Sequence, residues 1–396
     1  MAGGDSMQRT GGRLRSPLRR VAVRTCWLLT AAALLLLLFT VLTPQGRTAF
    51  HTALFVTQTL DVPVKPQSWF TGEPVRYETI YGSADGEEVA DVYRLPDGRP
   101  RAAVVLSLGG GPTGLDDPRV VNLGNALARA GYVAMLHWSP NIGLHADVHP
   151  SEPQKLVRAF RYLAGQDYVD PERVGLGGFC IGASFALVAA ADHDIRDRVS
   201  FVNAFGPYFD AESLVLQAAS RSVLHGGERT AWEPHPLTQR VLATELIQAL
   251  DDPSEADILT RHYLEDQPAT PAEWDALSSS ALTLARLMDG VEPREAEALY
   301  AMLPADFREE LARLSPSNHI DDVRARLLVM HDRNDLMVPV AESRRLVEAT
   351  RERGNVHYTE FVAFDHTTPG EGGLLTTLGQ AARLYRHMYD IVRIAA

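Results

Sequence analysis

One junction restricts the possible folds of this chain more than any other feature. The apolar run Val174-Gly175-Leu176-Gly177-Gly178-Phe179 passes through Cys180 straight into Ile181 to Ala191, with no loop between them. The first stretch is short, glycine-punctuated and bounded like a buried strand, and the second is long enough only for a helix. A strand that turns directly into an apolar helix places both inside a layered α/β core.

The flanking sequence repeats the pattern. Short apolar or alternating runs at Val75–Tyr81, Glu88–Leu95, Ala102–Leu106, Tyr132–Leu136, Val199–Asn203, Leu327–His331 and Val356–Phe361 read as strands. The first two are joined by the turn signal Ala84-Asp85-Gly86. Between strands lie helical stretches: Asp117 to Ala130, stopped by Gly131; Gln154 to Ala164; and segments near 340–353 and 374–392. Alternation of this kind predicts an α/β fold, a mostly parallel central sheet with helices on both faces. Residues 210–316 break it and read as helical throughout. In Thr270-Pro271-Ala272-Glu273, for example, a capping residue, a first-turn Pro and a capping-box acid follow in order. An all-helical insertion between two strands is expected to form a cap over the sheet's C-terminal edge.

The N-terminus carries a membrane signal. Cys26 to Leu42 is apolar apart from Thr30 and Thr40, and Val21 to Val23 extend the run across Arg24. At about 1.5 Å per residue this length nearly spans a hydrocarbon core of about 30 Å. Arg9, Arg13, Arg15, Arg19, Arg20 and Arg24 keep the preceding end cytoplasmic, so the body is expected outside the cell membrane on a single-pass anchor. A cleaved signal peptide is the rival, but the run is long for one and Leu42-Thr43-Pro44-Gln45-Gly46 is a poor cleavage site. The expected organisation is a basic tail at 1–20, a transmembrane signal-anchor at 21–43, a Pro-broken linker at 44–74, a body at 75–209 and 317–396, and a helical cap at 210–316.

Charge narrows the partners. Of the formal −12, residues 1–47 contribute +6 from seven Arg and one acid, which leaves −18 on the rest. An acidic body argues against nucleic acid. The two cysteines, Cys26 and Cys180, lie too differently in the chain to suggest a disulfide framework.

Four short segments carry chemistry. Gly178-Phe179-Cys180-Ile181-Gly182 has the pattern of a nucleophile elbow with Cys in the usual Ser position. A sharp turn there strains the nucleophile, the helix N-terminus favours a thiolate, and the Ile181 amide points at a developing oxyanion. Asp335 follows the strand ending at His331 and precedes Val338-Pro339; it, with Asp332 as local competitor, could orient an imidazole. His366 comes just after the last strand and could serve as general base and then acid for Cys180. The order nucleophile, acid, His is that of α/β-hydrolases. Leu108-Gly109-Gly110-Gly111-Pro112 follows the first central strand, and the amides of Gly110 and Gly111 could complete the oxyanion hole beside Ile181. No Gly-Lys-Ser/Thr follows, so it is not a phosphate loop.

Ser184 falls one turn into the helix, a poor place for a nucleophile. His145, Asp147 and His149 read as solvated loop side chains rather than metal ligands. Neither a metal nor a cofactor is expected.

With these residues in place, the chain resembles the dienelactone hydrolase family of the α/β-hydrolases over roughly residues 76–209 and 317–396. The resemblance rests on Gly178-Phe179-Cys180-Ile181-Gly182, on Asp335 before Val338-Pro339 and on His366, although Ala183 stands where that family usually has a further Gly. It implies a hydrolase of small carboxylic esters with Cys180 as nucleophile, Asp335 as acid and His366 as base. Acyl transfer to another acceptor, thioester cleavage, and a non-catalytic binding or redox-sensing domain are the alternatives.

Overall fold

The computed structural model describes residues 15–59, 64–83, 86–110, 114–362 and 374–395. The chain divides into two compact units, Met1–His51 and Thr52–Ala396.

Two helices open the chain, α1 (Arg15–Leu42) and α2 (Pro44–Thr59). Within α1, Arg24–Leu42 is long and apolar enough to cross a membrane. A helix at 44–59 departs from the expected Pro-broken linker. Thr43 accepts the Gly46 N–H at 2.9 Å, an N-cap, and Pro44 occupies the first turn, where a missing N–H costs nothing. The prolines that remain act later in the chain.

The central sheet is built from β1 (Val75–Ser83), β2 (Gly86–Arg94), β3 (Arg101–Ser107), β4 (Val133–His137), β5 (Val169–Phe179), β6 (Phe201–Phe205), β9 (Arg326–Asp332) and β10 (Val356–Phe361). Their spatial order is β1-β2-β4-β3-β5-β6-β9-β10. β1 and β2 pair antiparallel, β2 pairs antiparallel with β4, and every later pairing is parallel. The Ala84-Asp85 part of the expected turn lies outside the described residues.

Helices α3 (Pro118–Arg129), α4 (Glu152–Ala164), α5 (Ile181–Ala190), α13 (Val340–Ala349) and α14 (Leu374–Ala395) cover the sheet. Alternate residues of one strand serve opposite faces, as β3 shows. Ala103 and Val105 pack with Leu156, Phe160 and Phe185, from α4 and α5. Val104 and Leu106 pack with Leu127 and Ile391, from α3 and α14. Each buried side chain of leucine or phenylalanine size contributes roughly 1.5–3 kcal/mol.

Between β6 and β9 lie α6 (Ala211–Ser220), α7 (Pro236–Gln248), α8 (Pro253–Leu264), α9 (Pro271–Ala276), α10 (Ser279–Asp289), α11 (Pro293–Ala301) and α12 (Ala305–Leu314). The capping box at α9 forms as its sequence predicts. The segment is not helical throughout, however. β7 (Ser222–His225) and β8 (Glu228–Ala231) make a hairpin whose Gly226 and Gly227 have φ of +60° and +84°. Two adjacent residues in the left-handed region demand glycine and turn the chain back at once. The segment's own core of Val215, Leu246, Leu284 and Leu299 extends to Cys180, Ile181 and Val338, so it packs directly onto the sheet's C-terminal edge.

Parallel register fixes what that edge presents. Ser107 pairs with Gly178, Phe179 with Phe205, and Phe205 with Met330, so β3, β5, β6 and β9 end in one row. The loops after them carry Gly109 and Gly110, Cys180, Gly206 and Asp335.

Candidate active site

Cys180 sits between β5 and α5 with φ +53° and ψ −128°, a conformation that non-glycine residues rarely hold. Its neighbours make that possible. A Cβ at Gly178 would lie 2.5 Å from the Gly182 backbone, and one at Gly182 would lie 2.6 Å from the Ser107 carbonyl. The two glycines let the strand end, the helix start and β3 converge on a single point. The Cys180 N–H is spent on the Phe205 carbonyl (2.8 Å), which ties the turn to β6.

The sulfur does not have the thiolate character that a helix N-terminus alone would give it. Burial, then the charge of Asp335, pushes the Cys180 thiol up to about 12, and the opposing hydrogen bond from the Ile181 N–H is too weak to reverse it. Desolvation outweighs the helix end here, so the thiol rests protonated unless a cation is brought beside it.

Asp335 lies in the loop after β9. Its Oδ1 accepts the N–H groups of Met337 (2.7 Å) and Val338 (3.1 Å), while Oδ2 lies 3.5 Å from Nε2 of the fully buried His331. The Val338 carbonyl, 2.9 Å from that same Nε2, can only accept, so Nε2 carries the hydrogen. The Ser343 Oγ holds Nδ1 at 2.7 Å. Asp332, the competing acid, instead accepts the Asn334 N–H at 2.9 Å.

The segment after β8 grips the acid loop from the other side. Trp232 Nε1 donates to the Asp335 carbonyl (3.2 Å), the His235 N–H to the Leu336 carbonyl (2.7 Å), and Thr238 Oγ1 to the Met337 carbonyl (3.0 Å). Glu342, fully buried on α13, accepts the N–H groups of Phe209 (2.9 Å) and Asp210 (3.1 Å), holding the turn after β6. None of these contacts has a sequence motif, and the spacing between partners in the chain explains why. Only the hairpin's Gly226-Gly227 hints that residues 232–238 return toward the sheet.

Cys180, Ile181 and Gly110 line one partly open cavity with Tyr208, Leu237, Val241, Met337 and Val338. Thus the elbow, one residue of the glycine loop and the acid loop face the same space. His366 and Gly111 lie outside the described residues. Ser184 is fully buried and its hydroxyl donates to the Tyr208 carbonyl at 2.9 Å, a structural role. His149 Nδ1 meets Ser151 Oγ at 2.7 Å.

The strand order, the parallel register from β4 onward and the strained Cys180 between β5 and α5 define an α/β-hydrolase fold. No family model and no curated protein sequence matches the chain. Among solved structures it is similar to an acylaminoacyl peptidase in complex with Z-Gly-Gly-Phe-chloromethyl ketone, at 15% identity over 81% of this chain and 40% of that one, TM-score 0.45. It is similar too to a Pyrobaculum calidifontis esterase, at 14% identity over 88% and 90%, TM-score 0.43. A Pyrococcus horikoshii acylaminoacyl peptidase aligns at 14% identity over 83% and 43%, TM-score 0.47. The chain thus spans less than half the length of the two peptidases. A shared fold leaves the chemistry to be read from this site's own residues.

Proposed function

We propose that this chain is a membrane-anchored hydrolase of carboxylic esters that works through a Cys180–His366–Asp335 triad. The observation that carries the reading is the strained Cys180 backbone, held with an amide at its sulfur and an apolar cavity in front of it. Such strain persists only where the surroundings impose it, and it collects at reacting centres.

In this mechanism His366 takes the thiol proton as Cys180 Sγ attacks the ester carbonyl. The carbonyl electrons move to oxygen, which the amides of Ile181, Gly110 and Gly111 receive. Collapse expels the alcohol, protonated by His366, and leaves a thioester. Water, losing a proton to His366, then releases the acid and restores the thiol. Asp335 keeps the imidazole oriented and favours its charged form. The resting protonation of Cys180 supports this order, since thiolate is needed only once His366 is alongside. It also weighs against a redox sensor, which needs an exposed low-pKa thiol.

Residues 210–316 act as the cap, and the likeness to dienelactone hydrolases is carried by the cysteine in the elbow. The test is turnover of a short-chain chromogenic ester by the full chain in detergent, wild type beside Cys180→Ala. A loss on the order of a thousandfold or more, with the variant folded, is expected. Equal rates would remove Cys180 as nucleophile. Added alcohol that diverts the acyl group from water would instead indicate an acyltransferase on the same triad.

A further inference from the structure

The cavity beside Cys180 does not end there. It shares Ile181, Tyr208 and Leu214 with a second apolar space beneath α6, α7 and α12, walled by Val215, Leu242, Phe307, Leu311 and Leu314. Walls of this composition suit a hydrocarbon chain and little else.

Three polar side chains reach the space. The Tyr208 hydroxyl donates to the Leu314 carbonyl (2.9 Å) and Thr238 to the Met337 carbonyl (3.0 Å), so both are committed to the protein. Glu245, on α7, is committed on one side only. Its Oε1 accepts the Val148 N–H at 2.6 Å, and Oε2 has no hydrogen-bond partner among the described residues. Oε2 of this half-buried residue keeps accessible surface in an otherwise apolar wall and is free to receive a donor. In a ligand pocket, the few polar groups are what fix orientation.

Resting on the ester-hydrolase reading above, we propose that the site takes esters whose apolar chain runs from Cys180 into this space and ends in a hydrogen-bond donor, a hydroxyl or an amine, received by Glu245. Burial holds the Glu245 carboxyl up at about 7, with Asp147 from the preceding loop and Glu310 from α12 adding to it and the Val148 N–H opposing it. Above that pH the charged carboxylate binds a donor more strongly and meets a plain hydrocarbon end less favourably. Preference for the donor-ended chain therefore rises with pH through about 7.

The experiment compares p-nitrophenyl esters of plain and ω-hydroxylated acids, matched in length from butanoate to dodecanoate, on the full chain in detergent. Wild type is expected to favour the hydroxylated ester about tenfold or more in kcat/KM at the length that reaches Glu245, and Glu245→Leu to reverse the preference. Glu245→Gln keeps an acceptor for the Val148 N–H and is expected to show the same ratio at pH 6 and pH 8, where wild type changes. Equal ratios in wild type and both variants at every length, with acetate cleavage intact, would overturn the role of Glu245. Undiminished cleavage by Cys180→Ala would overturn the parent reading instead, and no cleavage by wild type would end both.

Discussion

Cys180 combines two properties that pull against each other: a backbone strained to expose the sulfur and surroundings that keep it protonated. Burial and Asp335 set the thiol near 12, so its reactivity depends on the proposed partner His366. The pH dependence of alkylation reads this out. Only the thiolate is alkylated, and below the pKa its fraction grows about tenfold per pH unit, so with His366→Ala the rate of iodoacetamide labelling is expected to climb about tenfold per pH unit from 7 to about 11 without levelling. Wild type is expected to reach a plateau at a far lower pH. Identical profiles would show that His366 does not pair with Cys180. The elbow was legible at this scale because glycine, cysteine and glycine must be adjacent in sequence for the turn to close. Glu245 and Trp232 were not, since they act on residues 97 and 103 positions away through the folded chain.

Among elements, the tie between residues 232–238 and the acid loop matters most. Trp232, His235 and Thr238 each bond to a carbonyl of the run 335–337 and so hold the Asp335 backbone in place. Trp232→Phe keeps most of the apolar volume and removes one hydrogen bond, worth about 1 kcal/mol. A fall in kcat of roughly fivefold to tenfold is expected, with KM and melting temperature little changed. A melting shift with kcat intact would reduce Trp232 to a packing residue. Strands and sheet-covering helices were legible because their apolar periods repeat over several residues. The α9 capping box was legible as well, being local. The helix at 44–59 was hidden by Pro44 and by Pro63, Pro66 and Pro74 beyond it, although Thr43 caps it, and the β7–β8 hairpin by four-residue strands too short to show a period.

For the molecule as a whole, Arg24–Leu42 bears on where the protein works. Among the described residues it is the one helix long and apolar enough to span a bilayer. If it anchors the chain, as the arginines before it suggest, the full protein is expected to stay with membranes through an alkaline carbonate wash. Residues 52–396, a compact unit by contacts, are expected in the supernatant. Release of the full chain by the wash would point to cleavage or to a peripheral association. The apolar run made this helix readable in the sequence; residues 232–238, which hold the loop at 335–337, gave no comparable signal.

α7 serves two purposes at once. Leu237, Val241, Leu242 and Glu245 on this helix form part of the cavity wall, and Thr238 between them holds the Met337 carbonyl next to the acid. A mutation that widens the wall to admit a new ligand also disturbs the helix that steadies Asp335. With Asp335 acting as proposed, breadth of ligand range and speed of turnover become correlated traits, and a lineage drifting toward new substrates would pass through slower variants unless a second change in 335–338 accompanied the first.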